Sequence, residues 1–225
     1  MKSSLMPLLL NLESRRVVVF GGGNVGHRKA SLFSRYCHVD VVSRSFVSQL
    51  KELENSRETV RLIEVGELDE DTIIEHARGA FIVVAATDNE ELNEKIAHIA
   101  HENGALVNSV HDVLDVVVPS IVEGEGVVLA ISTRGASPAM SKFIRQRLEG
   151  ALEASLSPEY LLMVRLQSEL REHLKRVVGD QQKRARLLWS VLESEEVWES
   201  LASSYEEGFK RALMHIEMQL EGRDE

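Results

Sequence analysis

Val17-Val-Val-Phe20 runs directly into Gly21-Gly-Gly23-Asn-Val-Gly26, and this junction decides the fold. Four consecutive apolar residues, three of them β-branched, read as a strand buried on both faces. The glycines that follow match G-x-G-x-x-G and open an amphipathic stretch. In that arrangement Gly21 makes the tight turn, Gly23 lets backbone amides approach a pyrophosphate, and Gly26 allows the helix to pack closely on the strand. Unpaired N–H groups of the helix start, near Asn24 and Val25, then face the negative charge. The reading is an N-terminal Rossmann-like α/β domain that binds a dinucleotide.

Outward from this turn, apolar runs alternate with amphipathic ones from Arg15 to Ser109, as in repeated βα units around a parallel sheet. Strands are expected at Arg16 to Phe20, His38 to Ser43, Val60 to Val65, Ala80 to Ala85 and Ala105 to Asn108. Helices fill the gaps, notably Asn24 to Arg35 and Glu90 to Asn103, the latter stopped by Asn103-Gly104. The second strand ends at Val41-Val-Ser43-Arg44-Ser45 without the acid that binds the ribose hydroxyls of NAD, and Asp40 stands too early. Ser43, Arg44 and Ser45 are therefore the ribose candidates; Arg44 either favours a 2′-phosphate or is an exposed loop arginine, and the choice between NAD and NADP stays open. Thr87-Asp88-Asn89 follows the fourth strand and either borders the cofactor crevice or starts and caps the next helix.

Beyond Ser109 the pattern changes. Val116 to Val122 and Val127 to Ser132, separated by Glu-Gly-Glu-Gly, read as a β-hairpin. Ser137-Pro138 supplies an N-cap and a first-turn proline for a helix through about Leu148, with Met140, Phe143, Ile144 and Leu148 along one face. Leu161 to Val178, Lys183 to Leu192 and Val197 to Leu220 read as helices. The expected domains are 1–113 for NAD binding, 114–150 as a hairpin-plus-helix dimerisation unit, and 151–225 as an all-helical C-terminal domain.

Composition narrows the function classes. The chain has 225 residues, a formal net charge of -10 and only 5% aromatic residues, which disfavours the basic surfaces and stacking platforms of nucleic-acid and membrane binders. No apolar run reaches the ~20 residues of a membrane span, no export signal is evident, and a cytoplasmic location is expected. Cys37 is the single cysteine, expected to be a small buried residue rather than a disulfide partner. His98 and His101 are three apart on a helix, read as a solvent-facing pair, so no metal site is expected.

Val107-Asn108-Ser-Val-His111-Asp112, Pro119-Ser-Ile and Ile131-Ser-Thr-Arg-Gly-Ala-Ser-Pro138 form an ordered set with Pro7-Leu-Leu-Leu-Asn-Leu12 and the glycine-rich run to Ala30. This set resembles the precorrin-2 dehydrogenase family, including the N-terminal half of bifunctional siroheme synthases, over about residues 5 to 150. The resemblance implies NAD-dependent oxidation of precorrin-2 to sirohydrochlorin, insertion of Fe2+ as a substrate in some members, and a homodimer built through the hairpin-and-helix unit. The family places an aspartate acid/base group just after Val-Asn-x-Val. This chain has His111 there and Asp112 next, so Asp112 is the first candidate, His111 the second and Asp115 the third.

Precorrin-2 is rich in carboxylates. Asn108, Ser132, Thr133, Arg134, Ser137 and Lys142 are therefore the substrate-binding candidates, with Arg145 and Arg147 adding positive charge. Two alternatives stand beside the dehydrogenase. One is a non-catalytic NAD-sensing module, and the other a family member that keeps only metal insertion.

Overall fold

The computed structural model describes residues 5–109, 115–124, 126–155 and 158–221. They form two compact units, Met1–Val118 and Pro119–Glu225.

In the first unit, strands β1 (Arg16–Phe20), β2 (His38–Ser43), β3 (Val60–Glu64), β4 (Ile82–Ala85) and β5 (Leu106–Ser109) form one parallel sheet in the order β3-β2-β1-β4-β5. Helices α1 (Asn24–Phe33), α2 (Ser48–Ser56), α3 (Glu70–Ala77) and α4 (Glu90–Glu102) make the crossovers. Residue parity divides the core. Val17, Val19, Val39, Val41, Ile82 and Val84 pack with Ala30, Phe33 and Leu50 from α1 and α2. Val18, Phe20, Val42, Val83 and Val107 pack with Ile73, Ala77, Ile96 and Ala100 from α3 and α4. Both faces are thus covered, as a parallel sheet of continuous apolar strands requires. The chain lays β2 and β3 on one side of β1 and β4 and β5 on the other, so the strand order reverses at β1/β4. Ligands of open α/β sheets bind outside the carboxyl ends of the strands at such a point.

Asp40 is the buried charge of this unit. Its carboxylate accepts from Arg61 Nε and Nη2 at 2.9 and 2.8 Å and from Arg16 Nη1 at 3.1 Å. Arg16 also donates to the carbonyls of His76 and Arg78, just before β4 begins. The acid is therefore anchored toward the amino edge of the sheet, away from the crevice, as its early place in β2 implied.

Cys37 is buried, and its thiol donates to the Phe33 carbonyl at 3.4 Å. Burial pushes its pKa up to about 11, since removing water penalises the thiolate. At pH 8 the folded chain should not react with an aromatic disulfide reagent, and one thiol should appear on unfolding. Rapid labelling of the native chain would contradict this burial.

The second unit holds β6 (Ser120–Gly124) and β7 (Val127–Ile131) as an antiparallel hairpin, then α5 (Pro138–Ser155), α6 (Pro158–Val177), α7 (Gln181–Leu192), α8 (Glu195–Ser203) and α9 (Tyr205–Glu221). Met163, Leu166, Leu170 and Leu174 of α6 pack with Leu187, Val191, Val197, Leu201, Ala212 and Ile216.

Three sequence expectations are corrected. Val116 to Pro119 does not join the hairpin, because Val116 is tied to β5: its N–H donates to the Val107 carbonyl at 3.1 Å, and its own carbonyl accepts from Asn108 Nδ2 at 2.7 Å. Pro119, lacking an N–H, then precedes β6. Helix α5 continues through Gly150 rather than stopping near Leu148. A glycine costs a helix only ~1 kcal/mol, too little to end one of 18 residues. The stretch from Val197 to Leu220 is broken at Ser204, which is extended (φ -160°, ψ 152°) and caps α9 by accepting the Glu207 N–H at 3.1 Å. The two helices then approach so closely that a Cβ on Gly208 would lie 2.8 Å from Leu201 Cα. Among the described residues, no helix is long and apolar enough to cross a membrane.

Candidate functional site

The turn after β1 is built by backbone approaches that exclude side chains. Gly21 has φ +123°, and a Cβ there would strike the Ala86 carbonyl at the end of β4. Its N–H donates to the Val42 carbonyl at 3.0 Å, binding the turn to β2. A Cβ on Gly26 would strike the Gly21 carbonyl, so α1 sits directly on the turn. Gly22, a variable position of the motif, is equally constrained: a Cβ would meet the Ser45 carbonyl, and the Gly22 carbonyl accepts from Val47 N at 2.9 Å.

Gly23 differs from these three. It is exposed, has an ordinary φ of -87°, and a Cβ there would meet nothing within 4 Å. It is also the N-cap of α1, and no side chain caps that helix. By contrast, Asp69 and Asn89 fill the caps of α3 and α4 by accepting the Thr72 and Leu92 N–H groups. The first-turn amides of α1 carry no acidic neighbour. They are left for an anion, which is the chemistry of a pyrophosphate site.

A cleft of ≈ 1250 Å³ opens from this turn. Of the expected cofactor residues, Gly21, Gly23, Asn24, Val25, Ser43, Arg44, Ser45, Thr87 and Asp88 line it, whereas Gly26 lies beneath as packing. Sequence reasoning missed Gly22, Phe46, Val47, Glu67 and Leu68, which also line it.

Thr87 is held by a residue that was also missed. The side chain of Asn93, 1% exposed, accepts from Thr87 N at 2.9 Å and from Thr87 Oγ1 at 2.7 Å, and its Nδ2 donates to the Thr87 carbonyl at 3.0 Å. The available signal was a polar residue on the buried 93, 96, 97, 100 stripe of α4. Asn89 is a helix cap, as one of its two readings held. Asp88 remains on the cleft wall.

His111 and Asp112 lie outside the described residues. The described chain resumes at Asp115, which pairs with β5. Asp115 Oδ2 accepts from Val107 N at 3.0 Å, and Asp115 N donates to the Val107 carbonyl at 3.2 Å. His101 Nδ1 stands 3.4 Å from the same carboxylate, whereas His98 faces Glu102 at 3.3 Å. Both histidines are exposed, and no group of His, Cys, Asp and Glu among the described residues could hold a metal ion. Asn108 is buried; beyond the Nδ2 bond to Val116, its Oδ1 has no partner among the described residues.

In the second unit the segment Ser132 to Ser137 is a tight loop, with Arg134 at φ +55° and Gly135 at φ +84°. Its hydroxyls shape the loop itself. Ser132 Oγ accepts from Arg134 N at 3.0 Å, Thr133 Oγ1 accepts from Ser137 N and donates to its carbonyl, both at 3.0 Å, and Ser137 Oγ caps α5 by accepting the Met140 N–H at 3.1 Å. Buried Ser141 accepts from Thr133 N at 3.3 Å. Among the nearby cations, Arg145 pairs with Glu149 at 2.7 Å and Arg147 lies over the Phe143 ring. Arg134 and Lys142 are exposed and make no ion pair among the described residues.

Comparison with known proteins agrees with this geometry. A family model described as "Putative NAD(P)-binding" matches residues 8–120. The chain is 44% identical over 216 residues to a precorrin-2 dehydrogenase of Methanosarcina barkeri, covering 95% of this chain and 94% of that one. It is 29% identical over 222 residues to a siroheme synthase of Nitrosococcus oceani, covering 96% of this chain but only 44% of that protein. The solved structure of SirC, a precorrin-2 dehydrogenase, superposes with a TM-score of 0.65 at 25% identity, over 95% of this chain and 99% of that one. A sequence of this likeness along nearly its whole length, on the same fold and with an open glycine turn at the strand switch point, belongs to the precorrin-2 dehydrogenase family.

Proposed function

We propose that the chain oxidises precorrin-2 to sirohydrochlorin with NAD. The observation that carries this reading is the uncapped α1 start beside exposed Gly23, in a chain 44% identical to a precorrin-2 dehydrogenase. The residues present fit the dinucleotide. Glycines at 21, 22 and 26 form a cradle that a Cβ would fill, and the free amides suit its pyrophosphate.

When bound, the nicotinamide supplies the two-electron oxidation. The chain's own residues bind and position. Gly21, Gly23, Asn24, Val25 and Gly26 form the pyrophosphate turn; Ser43, Arg44 and Ser45 serve the adenosine ribose; Thr87, fixed by Asn93, and Asp88 form the wall beyond β4. Asp112 or His111 takes the proton that the macrocycle releases as it is oxidised. Arg134 and Lys142, on and beside the loop that the Ser132, Thr133 and Ser137 hydroxyls hold in shape, serve the carboxylates of the tetrapyrrole.

We assign residues 1–113 to NAD binding, 114–150 to dimerisation and 151–225 to a helical domain. Exposed Met140, Phe143 and Leu148 on α5 support a homodimer formed through the second of these. The net charge of -10 supports a protein that engages neither nucleic acid nor anionic membranes. The siroheme synthase likeness extends the reading to Fe2+ as a second substrate.

Absorbance spectroscopy of the protein with precorrin-2 and NAD tests the proposal. Sirohydrochlorin should form together with reduced cofactor, and siroheme should follow on adding Fe2+. Cofactor binding without turnover would instead mark a sensing module. Siroheme from supplied sirohydrochlorin and Fe2+, with no reduced cofactor from precorrin-2, would mark a chelatase alone.

A further inference from the structure

We propose that Arg44 makes this cleft accept the 2′-phosphorylated dinucleotide, NADP, alongside NAD. The inference rests on the dinucleotide reading above and adds the cofactor form and the residue that sets it. Arg44 stands in the first residues after β2, where the strand's carboxyl end meets the glycine turn. The Gly21 N–H donates to the Val42 carbonyl at 3.0 Å, and Gly22 has no room for a side chain because the Ser45 carbonyl lies against it. With a pyrophosphate on the α1 amides, this short loop is where the adenosine ribose comes to rest.

Sites that select NAD place a carboxylate here, which binds both ribose hydroxyls and repels a 2′-phosphate. Ser43-Arg44-Ser45 contains none. The acid of the strand, Asp40, is buried with Arg16 and Arg61 at the other edge of the sheet and is not available. Arg44 is exposed on the cleft wall and makes no ion pair among the described residues, and the Ser43 and Ser45 hydroxyls beside it are likewise without hydrogen bonds among them. A free guanidinium flanked by two hydroxyls is suited to bidentate recognition of a phosphate.

Four acids of the cleft wall oppose it. Glu67, from the loop between β3 and α3, and Asp88, Glu90 and Glu91, before and at the start of α4, line the same cleft and are exposed. Their charges are screened by water and set against the attraction of Arg44 for a phosphate carrying nearly two. The balance gives a site that takes both cofactors rather than one reversed to NADP.

Titration calorimetry with NAD and NADP on the wild-type chain and on Arg44→Ala tests this without any turnover. The wild type should bind NADP within about tenfold of NAD. Arg44→Ala should weaken NADP roughly ten- to a hundredfold more than it weakens NAD, the value of charge-assisted hydrogen bonds to one phosphate. NAD binding with NADP more than about a hundredfold weaker in the wild type would overturn the role of Arg44 and leave the dehydrogenase reading intact. Equal weakening of both cofactors in Arg44→Ala would overturn it as well. Failure of both to bind the wild type would sink the dinucleotide reading itself, and this proposal with it.

Discussion

Gly23→Asp is expected to abolish NAD binding while the chain remains folded. The two halves of this outcome have separate causes in the turn. Folding is spared because Gly23 is exposed, holds an extended backbone that any residue adopts, and has open space where its Cβ would be. Binding is lost because that space is where a pyrophosphate approaches the α1 amides. A carboxylate there caps the helix and occupies the amides itself, and it places negative charge beside negative charge. At ~4 Å and an effective dielectric of ~20, the repulsion is about 4 kcal/mol, roughly a thousandfold in affinity. Calorimetry should detect no NAD heat at millimolar concentration, while circular dichroism and thermal midpoint stay close to wild type. The contrast lies one residue earlier and three later. Gly22→Ala and Gly26→Ala drive a methyl into the Ser45 and Gly21 carbonyls, and their damage should appear in the thermal midpoint. Undiminished NAD affinity in Gly23→Asp would remove the cofactor assignment.

That glycine turn was the most legible part of the sequence, because strand, turn and helix are contiguous and each glycine of the motif has a local reason. The parallel sheet followed from the same logic, since its strands are short apolar runs bounded by amphipathic ones. What stayed hidden depends on distant approach. Nothing local marks Gly22 as indispensable; its constraint arrives with the Ser45 carbonyl from the far side of β2. Asn93 carried a faint signal, a polar residue on a buried stripe, but its partner Thr87 is found only once β4 and α4 are packed. The break at Ser204 lacks a proline or glycine at the boundary, and only the contact of Gly208 with Leu201 explains the tight helical hairpin. The hairpin strand was begun too early because Val116-Val-Val is β-prone wherever it lies. Its partner proved to be Val107 of β5. In the Ser132 to Ser137 loop the residue types were read toward a ligand, whereas their hydroxyls hold the loop's own turn, leaving Arg134 and Lys142 as the groups without ion pairs among the described residues.

Asp112→Ala is expected to fold and bind NAD normally and to lose about 10²- to 10⁴-fold in dehydrogenase turnover, the usual cost of removing a general acid/base group. Three acid/base candidates follow β5, and the structure separates one from the others. The Asp115 carboxylate accepts the Val107 N–H at 3.0 Å and faces His101 at 3.4 Å, so it is engaged in closing the stem against β5. Its replacement should loosen that pairing and lower the thermal midpoint together with activity. Asp112 and His111 lie outside the described residues and follow β5 in sequence. A carboxylate can take a ring proton and attract Fe2+, so oxidation and iron insertion should fall together in Asp112→Ala. His111→Ala should lose less. Cofactor affinity measured on each variant keeps a binding defect from passing as a chemical one. Wild-type rates for Asp112→Ala beside a dead His111→Ala would transfer the role to the imidazole, and wild-type rates for both would leave the proton to Asp115 or to solvent.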